Sequence, residues 1–304
     1  MRALWVVWVG VFGVGCGAAI ADGLSATNSD TSDTATVLAR ANDWSTRVRS
    51  GTLHFRTEAN FLGNSRDNFI EEADLWFENL RSRLEQRIER LDASDEAPKS
   101  EEHWRIFDGE KVTDVSPPHF SRAIVTTPRD LSELPRYSGI GHAASIFVDL
   151  IGPAFNHGLP LGEKIASWGG QLSGEEEVAG LKCLHLETPS QKVPKDANII
   201  RHWWLAPSKG YALAQQSEEI TWPPPQRTAF RRNVDTVEQW MQTGDSLWVP
   251  KVVVRRVYIQ LRDAEEALRR VDRIELVSAA FNTSMPDELF HFDPPETTHI
   301  IHRD

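Results

Sequence analysis

The sequence has little cysteine, no long apolar run beyond its start and no excess of positive charge. Its 304 residues include two cysteines, Cys16 and Cys183. A membrane-spanning helix needs about 20 apolar residues, and the apolar run from Ala3 to Gly15 is shorter. Lysine and arginine number 33 against 44 aspartates and glutamates, which gives a formal net charge of -11. We therefore expect no transmembrane segment in the mature chain, and the acidic balance disfavours nucleic acid and anionic lipid surfaces as partners.

The first residues have the pattern of an export signal, so we expect a periplasmic or otherwise exported protein. Arg2 precedes the apolar run, and Ala19-Ile20-Ala21 supplies the small residues that a signal peptidase accepts. We prefer cleavage after Ala21. The segment Gly13-Val14-Gly15-Cys16 also resembles a lipoprotein cleavage box, which leaves open a lipid anchor at Cys16. Loss of residues 1–21 leaves Cys183 alone and changes the net charge from -11 to -12, because Arg2 is removed. Packing, not an intramolecular disulfide, must then stabilise the chain.

The remaining chain divides into a polar tether and one folded region. Residues 22–34 are rich in serine, threonine, aspartate and asparagine, which predicts a flexible tether. Residues 35–304 are long enough for a single domain, since all-β domains often reach about 200 to 250 residues. We expect that domain to begin with an amphipathic helix, capped by Thr34 or Thr36 and packed against a sheet. The apolar residues that recur at the spacing of one helix face are Val37, Leu38, Ala41, Trp44 and Val48.

From Ser50 onward, apolar residues recur at every second position, as they do in half-buried strands. The run Arg81–Leu91 fits either a helix or a strand, and the alternation of its charges favours a strand. Residues 92–102 are charged and predict a loop. Two later hairpins are indicated by alternating runs on either side of turn residues. The first joins residues 200–205 to 211–214, and the second joins 234–241 to 247–259.

Between residues 116 and 180, repeated prolines predict a helical insertion that interrupts the sheet. Apolar residues at helical spacing between Ala143 and Ile151 predict one helix there, which Gly152-Pro153 would end. This helix could cover one face of the sheet. The predicted fold class is therefore α+β, with an antiparallel sheet covered by a few helices.

The sequence contains no nucleophile elbow, zinc-binding helix, phosphate loop or dinucleotide fingerprint. We therefore predict no catalytic residue and no enzymatic activity, although a hydrolase with dispersed acidic residues remains an alternative. We also predict no cofactor and no metal site. The spacing of the C-terminal histidines matches no standard zinc pattern, and ordinary hydrogen-bonded imidazoles explain the histidines in predicted strands. These are His291, His299 and His302 in the first group and His54, His103, His185 and His202 in the second.

Two further features have simple interpretations and one does not. We interpret Cys183 as a small core residue and Glu175-Glu176-Glu177 as a solvated turn before a strand. Trp76 and Trp240 are harder to explain, because they lie on the otherwise polar parity of their strands. Large aromatic residues on a curved sheet could form walls around an acyl chain. Alternatively, the sheet buries both of its faces against helices and loops.

The order of several short motifs resembles the LolA/LolB-like superfamily of bacterial outer-membrane lipoprotein-sorting proteins. The motifs are Ser50-Gly51-Thr52-Leu53-His54-Phe55, Leu75-Trp76-Phe77, Phe107-Asp108-Gly109-Glu110-Lys111, residues 204–211, Trp248-Val249-Pro250 and residues 282–292. The resemblance covers most of residues 37–298.

The resemblance implies a strongly curved antiparallel half-barrel, closed by helices, with a hydrophobic cavity that holds a lipid or a lipoprotein acyl chain. The helical segment at residues 139–151 would be its lid. The expected ligand-binding residues are Trp76, Trp104, Phe147, Leu150, Trp204 and Trp240. The alternative is a regulatory or scaffolding module of the cell envelope that engages a protein partner through the same sheet.

Overall fold

The computed structural model describes residues 33–64, 67–79, 81–91, 100–115, 122–126, 147, 159–193, 196–244 and 246–303. All of them fall within the unit Ser32–Asp304. The export signal, Cys16, most of the predicted tether and most of the proline-rich segment lie outside these residues. Among the described residues, neither α-helix is long or apolar enough to cross a membrane.

The described strands form a single 15-stranded sheet in which neighbouring strands are antiparallel, except for one parallel pair at its end. The strands are β1 Ser50–Phe61, β2 Phe69–Glu78, β3 Arg81–Arg90, β4 Ser100–Phe107, β5 Val112–Val115, β6 Arg122–Thr126, β7 Gln171–Val178, β8 Leu181–Glu187, β9 Gln191–Val193, β10 Ala197–Ala206, β11 Ala212–Thr221, β12 Thr228–Gln242, β13 Trp248–Leu261, β14 Ala267–Phe281 and β15 His299–Arg303. Their order is β15-β6-β5-β4-β3-β2-β1-β14-β13-β12-β11-β10-β8-β7, with β9 also paired to β10. Within the described part of the chain, the sheet is open and does not close into a barrel.

Helix α1, Thr34–Ser45, buries Val37, Ala41 and Trp44 against the sheet, as its spacing predicted. Its N-cap is Asp33, whose carboxylate accepts a hydrogen bond from the backbone N–H of Thr36 at 2.8 Å. The prediction of a threonine cap was therefore wrong. An aspartate at this position accepts the same bond and adds a favourable charge at the positive end of the helix.

Helix α2, Leu161–Ser167, begins against α1 and obtains its capping groups from that helix. The hydroxyl of Ser45 accepts a hydrogen bond from the backbone N–H of Leu161 at 3.1 Å. The side-chain oxygen of Asn42 accepts one from the N–H of Glu163 at 2.9 Å. These bonds satisfy helix N–H groups that have no partner within α2, and they fix α2 beside α1.

We expect Gly162→Ala to destabilise the protein by about 1 to 3 kcal/mol, because α1 and α2 meet at this glycine. A methyl group on Gly162 would collide with the backbone oxygen of Leu38 and would lie 2.7 Å from the side-chain oxygen of Asn42. Gly244→Ala is the matched control, since no atom lies within 4 Å of its added methyl group. Urea unfolding measures both variants. An equal, small effect of the two substitutions would contradict the close approach of the helices.

The main core lies between these helices and one face of the sheet, which we call the covered face. It extends from β3 to β8 and also includes the buried side chain of Phe147, whose ring centroid is 4.6 Å from that of Phe55. Its sheet residues include Leu53, Leu75, Phe77, Leu84, Leu186, Trp203, Leu205, Leu213, Val237, Val253, Ile274 and Leu276. We call the opposite side of the sheet the outer face.

The structure confirms the strand at residues 81–90 and both predicted hairpins. The predicted loop at 92–102 was too long, because β4 begins at Ser100 and pairs with β3. The proline-rich region contains two strands, β6 and β7, beside the short helix α2. Among the C-terminal histidines, His299 and His302 lie in β15, which pairs in parallel with β6. That long-range pairing has no local sequence signal.

Candidate functional site

The covered face changes from apolar to charged along its strands. Side chains two residues apart lie on the same face of a strand. In six strands of this sheet, a polar side chain lies two residues before or after an apolar core residue. The change occurs at Leu84/Gln86 in β3, Ala73/Glu71 in β2, Ile274/Asp272 in β14, Val253/Arg255 in β13, Val237/Asp235 in β12 and Trp203/Arg201 in β10. We call the polar row, together with Arg270, Gln216 and Glu218, the charged band.

Most side chains of the charged band are buried, and Arg255, Gln216 and Glu218 are partly buried. Asp272 is 0% exposed, Glu71 1% and Asp235 6%. The guanidinium of Arg270 donates to Asp272 at 2.6 Å, and that of Arg255 donates to both oxygens of Asp235 at 2.7 and 3.1 Å. Buried charges need such partners, because losing water costs each of them several kcal/mol.

Further contacts extend the band to both sides. Gln86 donates to Glu71 at one end. Gln216 donates to Asp235 at 3.0 Å, and Arg201 donates to Glu218 at 3.1 Å at the other end. The band is therefore a row of hydrogen-bonded charges across several neighbouring strands.

Burial shifts the proton affinity of these carboxyl groups. It raises the pKa of Glu71 to about 7, against opposing effects of the hydrogen bond from Gln86 and the charge of Arg270. Burial also raises the pKa of Asp272, although Arg270 opposes the shift. In the described structure, one oxygen of each carboxyl group is buried without a hydrogen-bond partner. The band thus keeps polar groups in an environment that favours their neutral forms.

A cleft of about 130 Å³ lies where the charged band meets α2. Its wall contains two stacked indoles, Trp168 and Trp203, with centroids 5.8 Å apart. The guanidinium of Arg201 lies 4.2 Å from the ring centroid of Trp168, and the ammonium of Lys164 lies 5.3 Å from it. The lining has three cationic side chains, Lys164, Arg201 and Arg255, and two carboxylates, Glu218 and Asp235. This volume suits an anionic head group but not a whole lipid, because pockets for drug-sized ligands measure about 300 to 1,000 Å³.

The six residues predicted to bind a ligand do not come together on one face. Phe147 lies in the main core. Trp240 is partly buried between the main core and a small cluster around Cys183 and Val178. Leu150 lies outside the described residues. The register of their strands places the other three, Trp76, Trp104 and Trp204, on the outer face.

The reason for this separation is the period of two in a strand. Trp76 lies between Leu75 and Phe77, which both face the core, so its own side chain points the other way. The guanidinium of Arg83 lies 5.0 Å from the ring centroid of Trp104 on that outer face. Three of the predicted residues therefore do not line the covered face, and a ligand-binding role for them stays a prediction.

A second polar cluster lies on the outer face of β7, β8 and β10. His185 and Glu187 are two residues apart in β8, and His202 is the cross-strand partner of Glu187. Nε2 of His185 lies 3.1 Å from Nδ1 of His202, and that Nδ1 lies 3.8 Å from a carboxylate oxygen of Glu187. These three residues could together hold a metal ion. Burial lowers the pKa of His202, against the opposing charge of Glu187.

Several contacts that the sequence did not indicate fix the orientation of the His185 imidazole. Its ring stacks on the indole of Trp204 with a centroid distance of 4.6 Å and an interplanar angle of 2°. Nδ1 of His185 lies 2.9 Å from Glu176, and Trp204 donates its indole N–H to the same carboxylate at 2.8 Å. The prediction of a turn at residues 175–177 was wrong, because these residues belong to β7 and Glu176 orients an imidazole. Their exposure to solvent is as predicted.

Cys183 is buried in the small apolar cluster that contains Trp204, as predicted. Burial raises the pKa of its thiol to about 11. A thiol with this pKa is almost entirely protonated at neutral pH, so it is a poor nucleophile.

No family model matches the sequence, and neither does any curated protein. Solved structures do resemble it. A DUF1329 family protein from Desulfovibrio piger is 10% identical with a TM-score of 0.49, and a LolA superfamily protein from Nitrosomonas europaea is 12% identical with a TM-score of 0.47. Each match covers 86% of this chain and 98% of the other. LprF from Mycobacterium bovis is 10% identical, with a TM-score of 0.26 over 83% of this chain and 95% of LprF.

A member of the LolA superfamily, which the sequence motifs resemble, is among these structures. The identities of 10 to 12% and the TM-scores below 0.5 assign no function to this chain. The function must therefore follow from the residues of this chain.

Proposed function

We propose that this protein is a non-enzymatic cell-envelope protein that binds a lipid, or the acyl chain of a lipoprotein, on its covered face and acts in lipoprotein sorting. The supporting observation is the division of that face into an apolar half and a charged half, with a cleft where the charged half meets α2. An amphiphile has the same division, because its chain avoids water and its head group is polar. The strongly curved half-barrel predicted from the sequence is part of this proposal.

In this proposal, the head group occupies the cleft. A carboxylate or phosphate would accept hydrogen bonds from Arg201 and Lys164, and charge-assisted bonds of this kind are about twice as strong as neutral ones. Arg201 already pairs with Glu218, but the side chain of Glu218 is 34% exposed. An anionic head group would therefore compete with a partly hydrated carboxylate, which water can stabilise after the exchange.

The acyl chain would lie along the apolar half. Phe147 packs on Phe55 there, and a chain could take its place without exposing the sheet to water. Burial contributes about 0.8 kcal/mol for each methylene group. Ten buried methylenes would thus contribute about 8 kcal/mol, which corresponds to roughly micromolar affinity before the costs of ordering the ligand. Leu150 and Trp240 remain proposed members of this lining.

The first experiment is native mass spectrometry of the gently purified full chain, followed by organic extraction and identification of any lipid. We expect a stoichiometric adduct whose mass matches the extracted lipid. A clean mass without adduct, together with no binding of a 16-carbon fatty acid by delipidated protein up to about 100 µM, would overturn the proposal.

The head-group site is tested by Arg201→Met. Losing one hydrogen bond to a charged group costs about 1.5 to 3 kcal/mol, so we expect the dissociation constant for a 16-carbon fatty acid to rise about 10- to 100-fold. Arg56→Met is the matched control, because Arg56 lies in β1 with 47% of its side chain exposed. Thermal unfolding of both variants verifies that they are folded. Equal affinities of the two variants would remove the cleft from the ligand site.

A clean mass without adduct would favour the alternative function, which is engagement of an envelope protein partner through the sheet. The observation that favours this alternative is the packing of the covered face, where α1, α2 and Phe147 already fill the apolar half. Capture of one partner in stoichiometric amount from cell envelopes, by protein that carries no lipid, would support it.

A further inference from the structure

The outer face of β7, β8 and β10 carries a polar cluster that the proposed function does not use. Its imidazoles lie on the opposite side of β10 from Arg201 and Trp203, so they cannot contact a ligand in the cleft. We propose that His185, His202 and Glu187 form a binding site for a divalent transition-metal ion of the Zn²⁺ class. Two imidazoles and one carboxylate are a ligand set that Zn²⁺ accepts, with a fourth position left for water or an external ligand.

The spacing of the ligand atoms fits such an ion. Ligands about 2.0 to 2.1 Å from a tetrahedral zinc ion lie about 3.3 to 3.4 Å from one another. Here Nε2 of His185 and Nδ1 of His202 are 3.1 Å apart, and Glu187 is 3.8 Å from the second nitrogen. Without a metal ion, one imidazole must donate a proton to the other at this distance. Metal binding would require the donating imidazole to change tautomer, with its proton on the other ring nitrogen, so that both facing lone pairs are free for the ion.

His185 is held in the orientation that a metal ligand requires. Its Nδ1 lies 2.9 Å from Glu176 and 2.8 Å from the hydroxyl of Ser173, so a proton on Nδ1 leaves the lone pair on Nε2. Metal-binding histidines almost always have such a partner on the second nitrogen. The parallel stack on Trp204 fixes the plane of the ring, and Trp204 also donates to Glu176. All of these groups lie on paired strands, which vary less in position than loops.

Exposure of the cluster allows an ion to enter. The side chains of His185 and His202 are 11% and 16% exposed, whereas that of Glu187 is 43% exposed. The ion would therefore have a buried imidazole side and a side open to water. The open position distinguishes this site from a closed structural zinc site with four protein ligands.

The test is titration of the untagged full chain with ZnCl₂ alone, measured by isothermal calorimetry. We expect one ion per chain with a dissociation constant in the micromolar range or below. His202→Asn removes one ligand and should weaken binding more than about 100-fold, since losing even an outer-shell partner costs about 10- to 100-fold. Glu176→Gln tests that outer-shell role and should weaken binding by the smaller factor.

His54→Asn is the matched control. Nδ1 of His54 lies 2.8 Å from Asp74, so this pair is also an imidazole beside a carboxylate, but in β1 and β2. It should bind zinc with wild-type affinity. The ligand-field absorption of bound Co²⁺ should indicate four-coordinate geometry in wild type and in His54→Asn, and it should disappear in His202→Asn. Zinc should also raise the melting temperature of wild type but not of His202→Asn.

Two results would overturn the inference. One is the absence of zinc binding to wild type up to about 100 µM at neutral pH. The other is binding that survives in His202→Asn and in Glu187→Gln while both variants remain folded. His185 is not substituted, because its stack on Trp204 supports a buried cluster and its loss could unfold this edge of the sheet.

Discussion

Replacing Glu71 with glutamine is expected to stabilise the protein by about 3 kcal/mol at pH 8 and to have almost no effect near pH 4.5. Glutamine keeps a side-chain oxygen that can accept the hydrogen bond from Gln86, but it carries no charge. The effect is large because Glu71 is 1% exposed, so ionisation must occur in a buried site.

The sign follows from proton binding. The pKa of Glu71 rises from 4.5 to about 7 on folding, so between these values the folded state holds a proton that the unfolded state has lost. The contribution of this proton to the free energy of unfolding is fully present below pH 4.5 and is lost as the pH rises through about 7. Each unit of pKa difference corresponds to about 1.4 kcal/mol, which gives the expected total of about 3 kcal/mol. The glutamine variant has no such group and should lose this part of the pH dependence.

Urea unfolding at a series of pH values from 4.5 to 8.5, followed by tryptophan fluorescence, measures the difference. Glu72→Gln is the matched control, because Glu72 is the next residue in β2 and lies exposed on the outer face. Its stability curve should run parallel to that of the wild type. A Glu71→Gln curve that also runs parallel to the wild type would mean that the charged band is hydrated in solution.

Replacing Arg255 with methionine is expected to destabilise the protein by about 3 to 5 kcal/mol. Asp235 would remain buried and would keep the hydrogen bond from Gln216, but it would lose its cationic partner. A buried charge without a partner has a cost of this size. The double variant Asp235→Leu, Arg255→Met removes both charges. It should recover most of the loss, because well-packed apolar residues often replace a buried ion pair without cost.

The chain offers a control one residue away. Arg256 pairs with Glu238 at 3.1 Å on the outer face, where the two side chains are 35% and 39% exposed. Arg256→Met should therefore cost less than about 1 kcal/mol. Urea unfolding at pH 7 measures the free energy of unfolding of the three variants and so compares the buried ion pair with the exposed one. If Arg255→Met and Arg256→Met had equal costs, water would have to reach the charged band.

The two predictions also bear on the proposed ligand. A buried charged band beside an apolar half is a stable arrangement only if its charges are paired, and Arg255 contributes both to the band and to the cleft. A ligand head group in the cleft would add an anion to this row. We therefore expect bound fatty acid to reduce the cost of Asp235→Asn, which removes one of the two carboxylates from the cleft.

Local patterns in the amino-acid sequence were enough to predict most of the strands, both hairpins and the first helix. These elements follow from local patterns: a period of two at Leu53 and Phe55, turn residues such as Gly210, and helical spacing at Val37 and Ala41. Their signals are strong because water is present on one side of each element and absent from the other, which imposes the period on the sequence.

These patterns could not predict which distant strands pair or which face of the sheet the helices cover. The strand parity of Trp76 was correct, but register with β1 and β3 determined that its face is not the one that α1 and α2 cover. The charged band was missed because Glu71, Asp272 and Asp235 look like solvent-facing residues in their own strands. A signal existed in the change from aliphatic to charged residues at unchanged parity in several strands. This change predicts a charged band only when the register between the strands is known.

The histidine cluster shows the same limit. His185 and Glu187 lie in one strand and His202 in another, and no spacing in sequence predicts that β8 and β10 pair in the register that joins them. Proline and charge between residues 116 and 180 likewise concealed β6, whose partner β15 comes from the end of the chain. Local patterns predict which residues of an element face solvent and which face the core. Pairing between distant strands depends on which surfaces can be buried together, and only the folded chain determines that.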